Sequence, residues 1–387
     1  MRVCILGRFP KNKSSIFTGP MRVIYNVVQR LKLSNDVVVF SSPYNYLFRK
    51  TQYKKTESLV VYQINPFTLL LRMFKANCDI FHIFSYSYFY TVPLLLRKLI
   101  NSIKKNGVII YTAHGLLAYE KDMGYKALPI ITTFYERLLF KLSDHITTVS
   151  TELKNMIIKI YNVSPYKITV ISNGVDKKFF GKIDPNPFLK HLGLSDKNII
   201  LFVGSKKPVK GLDFLLAAIQ LIKQELKRNN WIVILLGPKT KTLKQLEKLY
   251  NNLFFEKVVI SVGPFKKEML LSAYASADIF ILPSKYESFG LVTLEAMAVG
   301  KPIIISDRVG IKQFIIHGEN GFIVPYGDTN VLANQILFLI RNKNERKRIG
   351  RNAKISAKKF EWKYISNSYI KLYEQLLRRK TKEIELK

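Results

Sequence analysis

The sequence predicts an α/β protein built from two doubly wound domains, each a mostly parallel sheet covered by helices. Three observations lead to this fold class. At 387 residues, the chain is too long for one ordinary domain and suits two. Apolar residues make up 48% of it, which is enough for a packed core in each half and too many for a disordered chain. Apolar segments also alternate with amphipathic ones throughout, as expected for strands joined by helical crossovers.

In the first half, short β-branched and aromatic runs indicate strands, and apolar residues three or four positions apart indicate helices. The first helix shows this spacing through Val23, Val27, Val28 and Leu31. The predicted strands are 2–7, 36–41, 79–84, 108–112, 145–149 and 168–171. The predicted helices are 21–33, 93–103, 129–142 and 151–160. These elements form a predicted N-terminal domain over residues 1–172.

A linker is predicted at 173–195, because this segment is rich in Asn, Gly, Pro and Asp and begins with the turn dipeptide Asn173-Gly174. A C-terminal domain follows at 196–360, and an amphipathic helix at 361–387 is expected to pack back toward the N-terminal domain. The predicted strands here are 198–204, 231–237, 258–262, 279–283, 302–306 and 321–324. The predicted helices are 212–227, 243–251, 267–275, 291–299 and the region from 329 onward. Two such domains should face each other across a cleft, with ligands off the carboxyl ends of the strands.

The charge is strongly positive: 62 Lys and Arg against 27 Asp and Glu give a net charge of +35, and the excess covers both halves. Such a surface favours phosphorylated ligands or an anionic membrane. Nucleic acid would also use the charge, but no recognition motif for it is present. Basic runs lie beside aromatic residues at 48–55 and 97–105, which favours the membrane; a solvated basic surface is the alternative.

Compartment is predicted from the N-terminus and from the cysteines. The chain opens on a strand without a long apolar segment behind it, so no signal peptide is expected, and the uncharged run 80–96 is too short and polar to span a membrane. Cys4 and Cys78 belong to no CxxC or Cys/His cluster, so neither zinc nor a disulfide is expected. We therefore expect a cytoplasmic protein in a reducing compartment, with peripheral attachment to the inner face of the cell membrane as a further expectation.

The strongest chemical motif is Pro-Ser-Lys-Tyr-Glu-Ser-Phe-Gly-Leu-Val-Thr-Leu-Glu-Ala-Met at 283–297. An apolar strand enters a loop, and Gly290 opens a helix whose free N–H groups and positive dipole end favour a diphosphate. Glu287, just before the helix, can face a sugar hydroxyl. Glu295 lies about two turns into the helix and can accept hydrogen bonds from two vicinal ribose hydroxyls. These residues alone leave an ordinary strand-loop-helix with an acidic first turn equally open.

This segment resembles the E-x7-E signature of the family 4 glycosyltransferases, and the match continues through Gly300-Lys301-Pro302. The resemblance implies the GT-B fold, with two Rossmann-like domains facing across a cleft. It also implies retaining transfer of a hexose from a UDP- or GDP-linked sugar to a glycan or lipid-linked acceptor. Glu287 is then a catalytic residue that positions the sugar, and Glu295 binds the ribose. The residues implied to hold the donor diphosphate are Ser288, Phe289, Gly290 and Leu291.

A second motif, Gly-Ser-Lys-Lys-Pro-Val-Lys-Gly at 204–211, combines glycines for close approach with lysines for charge. The resemblance implies that Gly204, Ser205 and Lys210 bind the donor, and that Lys210 is also a catalytic residue. The family carries an arginine where this chain has Ser205. Lys206 is the candidate replacement, as a point charge without the guanidinium fork. A solvated basic loop is the alternative for these lysines.

Three further positions resemble family motifs. His114, in Tyr-Thr-Ala-His-Gly, matches a histidine that reaches the transferred sugar and is the third catalytic candidate; a locally satisfied histidine is the alternative. Gly19 stands where the family has a glycine pair against the donor, although Pro20 replaces the second glycine. Gly263 is expected to line the nucleobase pocket. His82 is expected in the core or the cleft wall.

The implied chemistry requires no metal and no cofactor. The sequence contains no Asp-x-Asp pair, so Lys210 and the helix N–H groups would supply the positive field at the diphosphate. The acceptor would attack on the face from which the phosphate departs, and that phosphate would take the proton. Two alternatives remain on the same frame: a nucleotide-sugar hydrolase or epimerase, and a non-catalytic member that binds sugar nucleotides.

Overall fold

The computed structural model describes residues 1–10, 19–41, 52–63, 71–72, 75–84, 107–116 and 130–385. The chain divides into two compact units. The N-terminal unit comprises Met1–Gly174 and Trp362–Lys387, and the C-terminal unit comprises Val175–Glu361. The helix predicted at 93–103 and the basic run 97–105 lie outside the described residues, and the run 48–55 does so in part.

The N-terminal unit contains a sheet of eight described strands in the order β3-β4-β2-β1-β5-β6-β7-β8. They are β1 (Arg2–Leu6), β2 (Asp36–Ser41), β3 (Gln52–Thr56), β4 (Leu59–Gln63), β5 (Ile80–Ile83), β6 (Val108–Ala113), β7 (His145–Thr148) and β8 (Ile168–Val170). All neighbours are parallel except β3 and β4, which form an antiparallel hairpin. The sequence did not predict this hairpin, because β3 is polar and the turn Glu57-Ser58 lacks the usual hairpin residues.

Helices α1 (Gly19–Leu31), α2 (Ile130–Leu142), α3 (Thr151–Tyr161) and α13 (Trp362–Glu385) belong to the same unit. The buried face of α1 consists of the apolar residues whose spacing predicted the helix. The last helix, α13, packs along α1, where Arg30 Nε donates to Asn367 Oδ1 at 3.1 Å. The C-terminal segment of the chain therefore completes the N-terminal unit.

A disulfide joins Cys4 to Cys78, with their Cα atoms 5.9 Å apart, so the expectation of no disulfide is wrong. Strand β1 carries Cys4, and Cys78 lies two residues before β5. These strands are neighbours, with Val3 opposite Ile80. The sheet order therefore brings together two cysteines that are 74 positions apart, which no spacing rule reveals. The prediction of a reducing compartment assumed unpaired cysteines, so the cysteines no longer support it.

The C-terminal unit contains a parallel sheet of six strands in the order β11-β10-β9-β12-β13-β14. They are β9 (Asn198–Val203), β10 (Trp231–Leu236), β11 (Val259–Val262), β12 (Ile279–Leu282), β13 (Ile303–Ser306) and β14 (Phe322–Val324). From β9, the chain builds outward to β11 on one side and then, from β12, to β14 on the other. The order therefore reverses between β9 and β12, and doubly wound sheets bind ligands at the carboxyl ends of the strands at such a point.

Nine helices cover this sheet: α4 (Asn186–Leu192), α5 (Leu212–Leu221), α6 (Lys223–Arg228), α7 (Lys241–Leu249), α8 (Asn251–Phe255), α9 (Lys267–Ser276), α10 (Leu291–Val299), α11 (Thr329–Arg341) and α12 (Lys343–Ala357). The predicted helix 212–227 is interrupted at Ile222, whose φ of −106° and ψ of 11° leave the helical region. None of the helices in the described part of the chain has the length and apolar character needed to cross a bilayer.

The segment predicted as a linker, 173–195, is largely ordered structure of the C-terminal unit. It contains α4, whose Phe188 is fully buried and whose Phe188 N–H donates to Ser272 Oγ at 3.0 Å. Asp176 forms an ion pair with Lys267 of α9 at 2.5 Å. The Asn, Gly, Pro and Asp residues that suggested a linker therefore form turns and caps around a short packed helix.

Candidate functional site

Two loops of the C-terminal unit lie against each other where the strand order reverses. One follows β9 at 204–211, and the other follows β12 at 283–290. The Lys285 N–H donates to the Val209 carbonyl at 2.9 Å. Gly211 has φ +66°, and a Cβ placed there would lie 2.0 Å from the Pro283 carbonyl oxygen. Glycine is required at position 211 because the backbones of the two loops approach too closely for any side chain.

Lys210 and Glu287, one from each loop, form an ion pair. Their side chains are 16% and 23% exposed, so both groups remain accessible from solvent. The backbone fixes Glu287 on both sides: its N–H donates to the Arg308 carbonyl at 3.2 Å, and its carbonyl accepts from the Gly310 N–H at 2.8 Å. The sequence pattern indicated Glu287 and Lys210 but missed the segment after β13 that holds the glutamate in place.

Helix α10 begins at Leu291, four residues after Glu287, with Gly290 as its N-cap. Gly290 has φ +101°, and a Cβ there would meet Val309 Cγ1 at 2.8 Å. The Gly290 carbonyl accepts from the N–H groups of Thr293 and Leu294, at 3.0 and 3.2 Å. Leu291 is the first residue of the helix, so its N–H group has no acceptor within the helix and can bind an anion.

The other residues predicted to bind the diphosphate differ in how far their side chains are buried. Ser288 and Leu291 are half-buried, whereas Phe289 is buried and its ring packs edge-on against Phe360, 6.5 Å between centroids. The side chain of Phe289 thus belongs to the core, and its backbone is the part that can reach a ligand. Its carbonyl accepts from the Ile311 N–H at 2.7 Å, which ties this turn to the segment after β13.

Glu295, the predicted ribose ligand, is 2% exposed and accepts a hydrogen bond from the Tyr274 hydroxyl at 2.8 Å. Tyr274 lies on α9 and is fully buried. Burying a carboxylate is costly unless donors satisfy it, so Tyr274 stabilises Glu295 in its position. The sequence carried no sign of Tyr274, because it lies 21 residues away on another helix.

Lys206, predicted to contact the donor phosphates, is fully buried in the structure. Its Nζ donates to the Gly237 carbonyl at 2.7 Å, to Ser261 Oγ at 2.7 Å and to the Val262 carbonyl at 3.0 Å. Burial lowers its pKa to about 8, with Glu247 acting in the opposite direction. In this conformation all three N–H bonds of the ammonium are used within the protein, so none is left for a phosphate.

The remaining donor candidates of this unit lie at the same edge of the sheet. Gly204 and Ser205 follow β9 and are half-buried. Gly263 follows β11 and is exposed, and a Cβ there would have no heavy atom within 4 Å. The sheet thus brings the glycines after β9 and β11 to the edge that also carries the Lys210–Glu287 pair.

The N-terminal unit carries the other two predicted residues. Gly19 is the first residue of α1, and the preceding residues 11–18 lie outside the described part of the chain. His114 directly follows β6, and its ring stacks on Phe84 with 6.5 Å between centroids. Burial lowers the pKa of His114 to about 4, so its imidazole is neutral at physiological pH. Among the described residues, no group hydrogen-bonds to its buried Nε2.

His82 is a core residue beside this position. Its Nδ1 and Nε2 are each 2.6 Å from a hydroxyl, that of Tyr373 on α13 and that of Thr112 on β6. Thr112 is in turn 2.5 Å from the hydroxyl of Thr147 on β7. Burial, together with His114 and His145, keeps the pKa of His82 well below its usual range. A buried neutral network therefore joins α13 to the sheet that carries His114.

Within the described residues, no three His, Cys, Asp or Glu side chains are grouped as a metal site would require. The positive groups beside Glu287 at the edge of the C-terminal sheet include Lys210 and the first turn of α10. The metal independence expected from the sequence remains a prediction.

Comparison with known proteins identifies both halves of the chain. A family model described as glycosyltransferase family 4 matches residues 17–179, and one described as glycosyl transferases group 1 matches residues 188–356. An uncharacterized glycosyltransferase of Methanocaldococcus jannaschii is 31% identical over 241 residues, which is 60% of each chain. The N-acetyl-alpha-D-glucosaminyl L-malate synthase of Bacillus anthracis is 29% identical over 329 residues, which is 82% of each chain.

Solved structures show the same fold over nearly the whole chain. Anabaena HepE in complex with UDP-glucose has a TM-score of 0.73 at 18% identity, covering 97% of this chain and 100% of its own. WaaG, a glycosyltransferase involved in lipopolysaccharide biosynthesis, has a TM-score of 0.67 at 15% identity, covering 96% and 99%. Because the two family models together span most of the chain and the fold agrees, the chain belongs to the family 4 glycosyltransferases of the GT-B fold.

Proposed function

We propose that this protein is a retaining glycosyltransferase that transfers a hexose from a UDP- or GDP-linked sugar to a glycan or lipid-linked acceptor of the cell envelope. The observation that carries the proposal is the Lys210–Glu287 ion pair at the start of α10. A cation, a carboxylate and the free N–H groups of the first helical turn lie together where the strand order reverses between β9 and β12. This combination suits a sugar diphosphate.

In this proposal, the donor diphosphate lies against the backbone N–H groups of Phe289, Gly290 and Leu291, with Lys210 neutralising its charge. Glu287 hydrogen-bonds to hydroxyls of the sugar, and Glu295 accepts hydrogen bonds from the ribose. One comparison supports a nucleotide-sugar donor, because the HepE structure contains UDP-glucose. The B. anthracis relative is named as the synthase of a glucosaminyl compound, N-acetyl-alpha-D-glucosaminyl L-malate.

The proposed transfer step needs no base from the protein. The acceptor hydroxyl oxygen forms a bond to the anomeric carbon while the bond from that carbon to the diphosphate oxygen breaks on the same face. The departing phosphate takes the hydroxyl proton. Lys210 and the α10 N–H groups stabilise the charge that grows on this phosphate. His114, neutral because of its lowered pKa, provides a ring nitrogen for a sugar hydroxyl.

The proposals for the acceptor and for the location are supported by the net charge of the chain and by one of its structural neighbours. A net charge of +35 favours an anionic membrane surface, where each Lys or Arg near the headgroups contributes about 1 kcal/mol. WaaG is described as involved in lipopolysaccharide biosynthesis, which supports a cell-envelope acceptor.

We propose peripheral binding to the inner face of the cell membrane. Binding to phosphatidylglycerol vesicles should be strong at low salt and weak at high salt; vesicle binding that is independent of salt would contradict the proposal.

The function is tested by offering a panel of UDP-, GDP- and ADP-hexoses in EDTA, with a cell-envelope extract as acceptor. Wild type, Glu287→Ala and the control Glu268→Ala, an exposed carboxylate on α9, are compared. We expect one donor to be consumed by wild type and the control, with product that retains the anomeric configuration. Glu287→Ala should lose this turnover by about 100-fold or more.

Three results would contradict the proposal. Donor consumption at the same rate without any acceptor indicates a hydrolase. Donor binding without turnover in any extract indicates a non-catalytic member of the family. Turnover that disappears in EDTA and returns with a divalent cation contradicts the metal-independent chemistry.

A further inference from the structure

Lys206, a lysine predicted to bind the donor phosphates, lies in the interior of the C-terminal unit. Its side chain is fully buried, and its ammonium donates to three acceptors at 2.7 to 3.0 Å. Two of these are the backbone carbonyls of Gly237 and Val262, and the third is the hydroxyl of Ser261. A buried ammonium is tolerated only when its N–H bonds are satisfied in this way.

The backbone of Lys206 is held by the same neighbours. Its carbonyl accepts from the hydroxyl of Thr240, which also caps α7 by accepting from the Leu243 N–H at 3.1 Å. Gly237 approaches the same loop so closely that a Cβ on it would lie 1.9 Å from the Gly204 carbonyl oxygen. Lys206 therefore joins the loop after β9 to the loop after β10 and to the end of β11.

These contacts lie at the same carboxyl edge of the sheet as the Lys210–Glu287 pair, but on the other side of β9. In the strand order, β11 and β10 lie on one side of β9, whereas β12, which precedes Glu287, lies on the other. The carbonyl of Val262 accepts from Lys206, and the next residue is Gly263, which is exposed and where a Cβ would have no heavy atom within 4 Å. The ammonium of Lys206 thus fixes the backbone next to the position expected to receive the nucleobase.

We propose that Lys206 is a positioning residue for the nucleobase end of the donor: its buried ammonium holds the backbone of Gly237 and Val262, and it does not contact the phosphates. This inference rests on the proposed function. The ammonium of Lys206 then contributes no charge to the phosphate site. Lys210 and the N–H groups of α10 supply the positive charge there. Substitutions at Lys206 should affect recognition of the nucleoside and spare recognition of the diphosphate.

The test measures binding of UDP, GDP and ADP, and separately of inorganic pyrophosphate, by calorimetry. Lys206→Met replaces the unbranched stem with one of similar length and removes the ammonium, and Lys207→Met at the exposed neighbour is the matched control. We expect Lys206→Met to weaken the best nucleotide at least tenfold and pyrophosphate less than twofold. In transfer assays, its KM for the donor should rise while kcat stays within twofold of wild type. Lys207→Met should match wild type in nucleotide binding.

A second variant covers the case in which Lys206→Met does not fold, as judged by circular dichroism. Ser261→Ala removes one of the three acceptors and should weaken nucleotide binding about threefold, again without a change for pyrophosphate. Unchanged nucleotide affinity in a folded variant overturns the inference. An equal loss for nucleotide and pyrophosphate also overturns it, because that pattern is expected of a charge on the phosphates.

Measurements on the wild type distinguish failure of this inference from failure of the proposed function. If wild type binds none of the nucleotides, the proposed function fails and the inference fails with it. If wild type binds a nucleotide and transfers sugar while the folded variants match it, the inference alone is wrong.

Discussion

Lys210 and Glu287 are ion-paired across the boundary between the β9 and β12 loops, although 77 positions separate them in the chain. A partly buried pair of this kind is a weak source of stability, because desolvation offsets much of the attraction. Its value is positional: the two charges are held next to the first turn of α10, where a diphosphate can bind. The pair also fixes the distance between two loops that belong to different strands.

Lys210→Met should remove the charge at the proposed diphosphate site and free Glu287 from its partner. We expect kcat/KM for transfer to fall about 100-fold, the usual loss when one stabilising donor is removed from a transition state. Steady-state kinetics with the donor found in the panel measures this. Lys207→Met, an exposed lysine of the same loop, should stay within twofold of wild type. A comparable loss in both variants would mean that the charge of the whole loop matters and not Lys210 itself.

Gly211→Ala should be far more damaging than Gly193→Ala, although both glycines have nearly the same φ, +66° and +65°. The left-handed conformation costs an alanine about 1 kcal/mol at either position. At 211 the new Cβ would also lie 2.0 Å from the Pro283 carbonyl, whereas nothing lies within 4 Å at 193. We expect unfolding free energies lower by about 1 kcal/mol for Gly193→Ala and about 3 kcal/mol for Gly211→Ala in urea titrations. Equal losses would show that the loops separate without cost.

Tyr274→Phe should destabilise the C-terminal unit by about 1–3 kcal/mol, because the buried carboxylate of Glu295 loses a hydrogen-bond donor. The proposed donor site should suffer as well, with a higher KM for the nucleotide sugar, since Tyr274 holds the residue expected to bind the ribose. Urea denaturation and donor kinetics give the two values. Tyr166→Phe removes a hydroxyl from a side chain that is 93% exposed and should change neither. A normal KM in Tyr274→Phe would separate Glu295 from donor binding.

Acid should destabilise the N-terminal unit through its buried histidines. Burial is the main reason that the pKa values of His114 and His145 fall from 6.5 to about 4, and His82 is shifted in the same direction. Between pH 6.5 and 4 the unfolded chain therefore binds more protons than the folded one, and stability falls as pH falls. Each histidine contributes a slope of up to about 1.4 kcal/mol per pH unit.

The chain offers a way to measure this in one unit. It has two tryptophans, Trp231 in β10 and Trp362 at the start of α13. In a Trp231→Phe background, fluorescence of Trp362 reports the N-terminal unit during urea unfolding at each pH. His145→Asn should reduce the slope between pH 6.5 and 4, whereas His191→Asn, an exposed histidine of the C-terminal unit, should leave it unchanged. A slope that is the same in all three proteins would contradict the assignment.

Much of the fold was predictable because it follows from local pattern. Apolar runs of the right length marked strands such as β9 and β12, and the spacing of Val23, Val27 and Leu31 marked α1. The loops that carry Lys210 and Glu287 were selected by their resemblance to family motifs, because glycines and charges after a strand leave an ordinary loop equally open. The β3–β4 hairpin was missed because β3 is polar, and helix α4 was missed because the turn residues around it were interpreted as a linker.

Local pattern and family resemblance thus identified the candidate site residues, since a carboxylate or a lysine after a strand is visible without knowledge of its partners. Tertiary structure alone decided what each of them contacts. The order of strands places Cys4 next to Cys78, and the packing of α9 places Tyr274 next to Glu295. The ammonium of Lys206 donates to backbone carbonyls at the ends of β10 and β11. These contacts join distant segments, and their partners are selected by burial and by the need to satisfy buried charge, which no short stretch of sequence reveals.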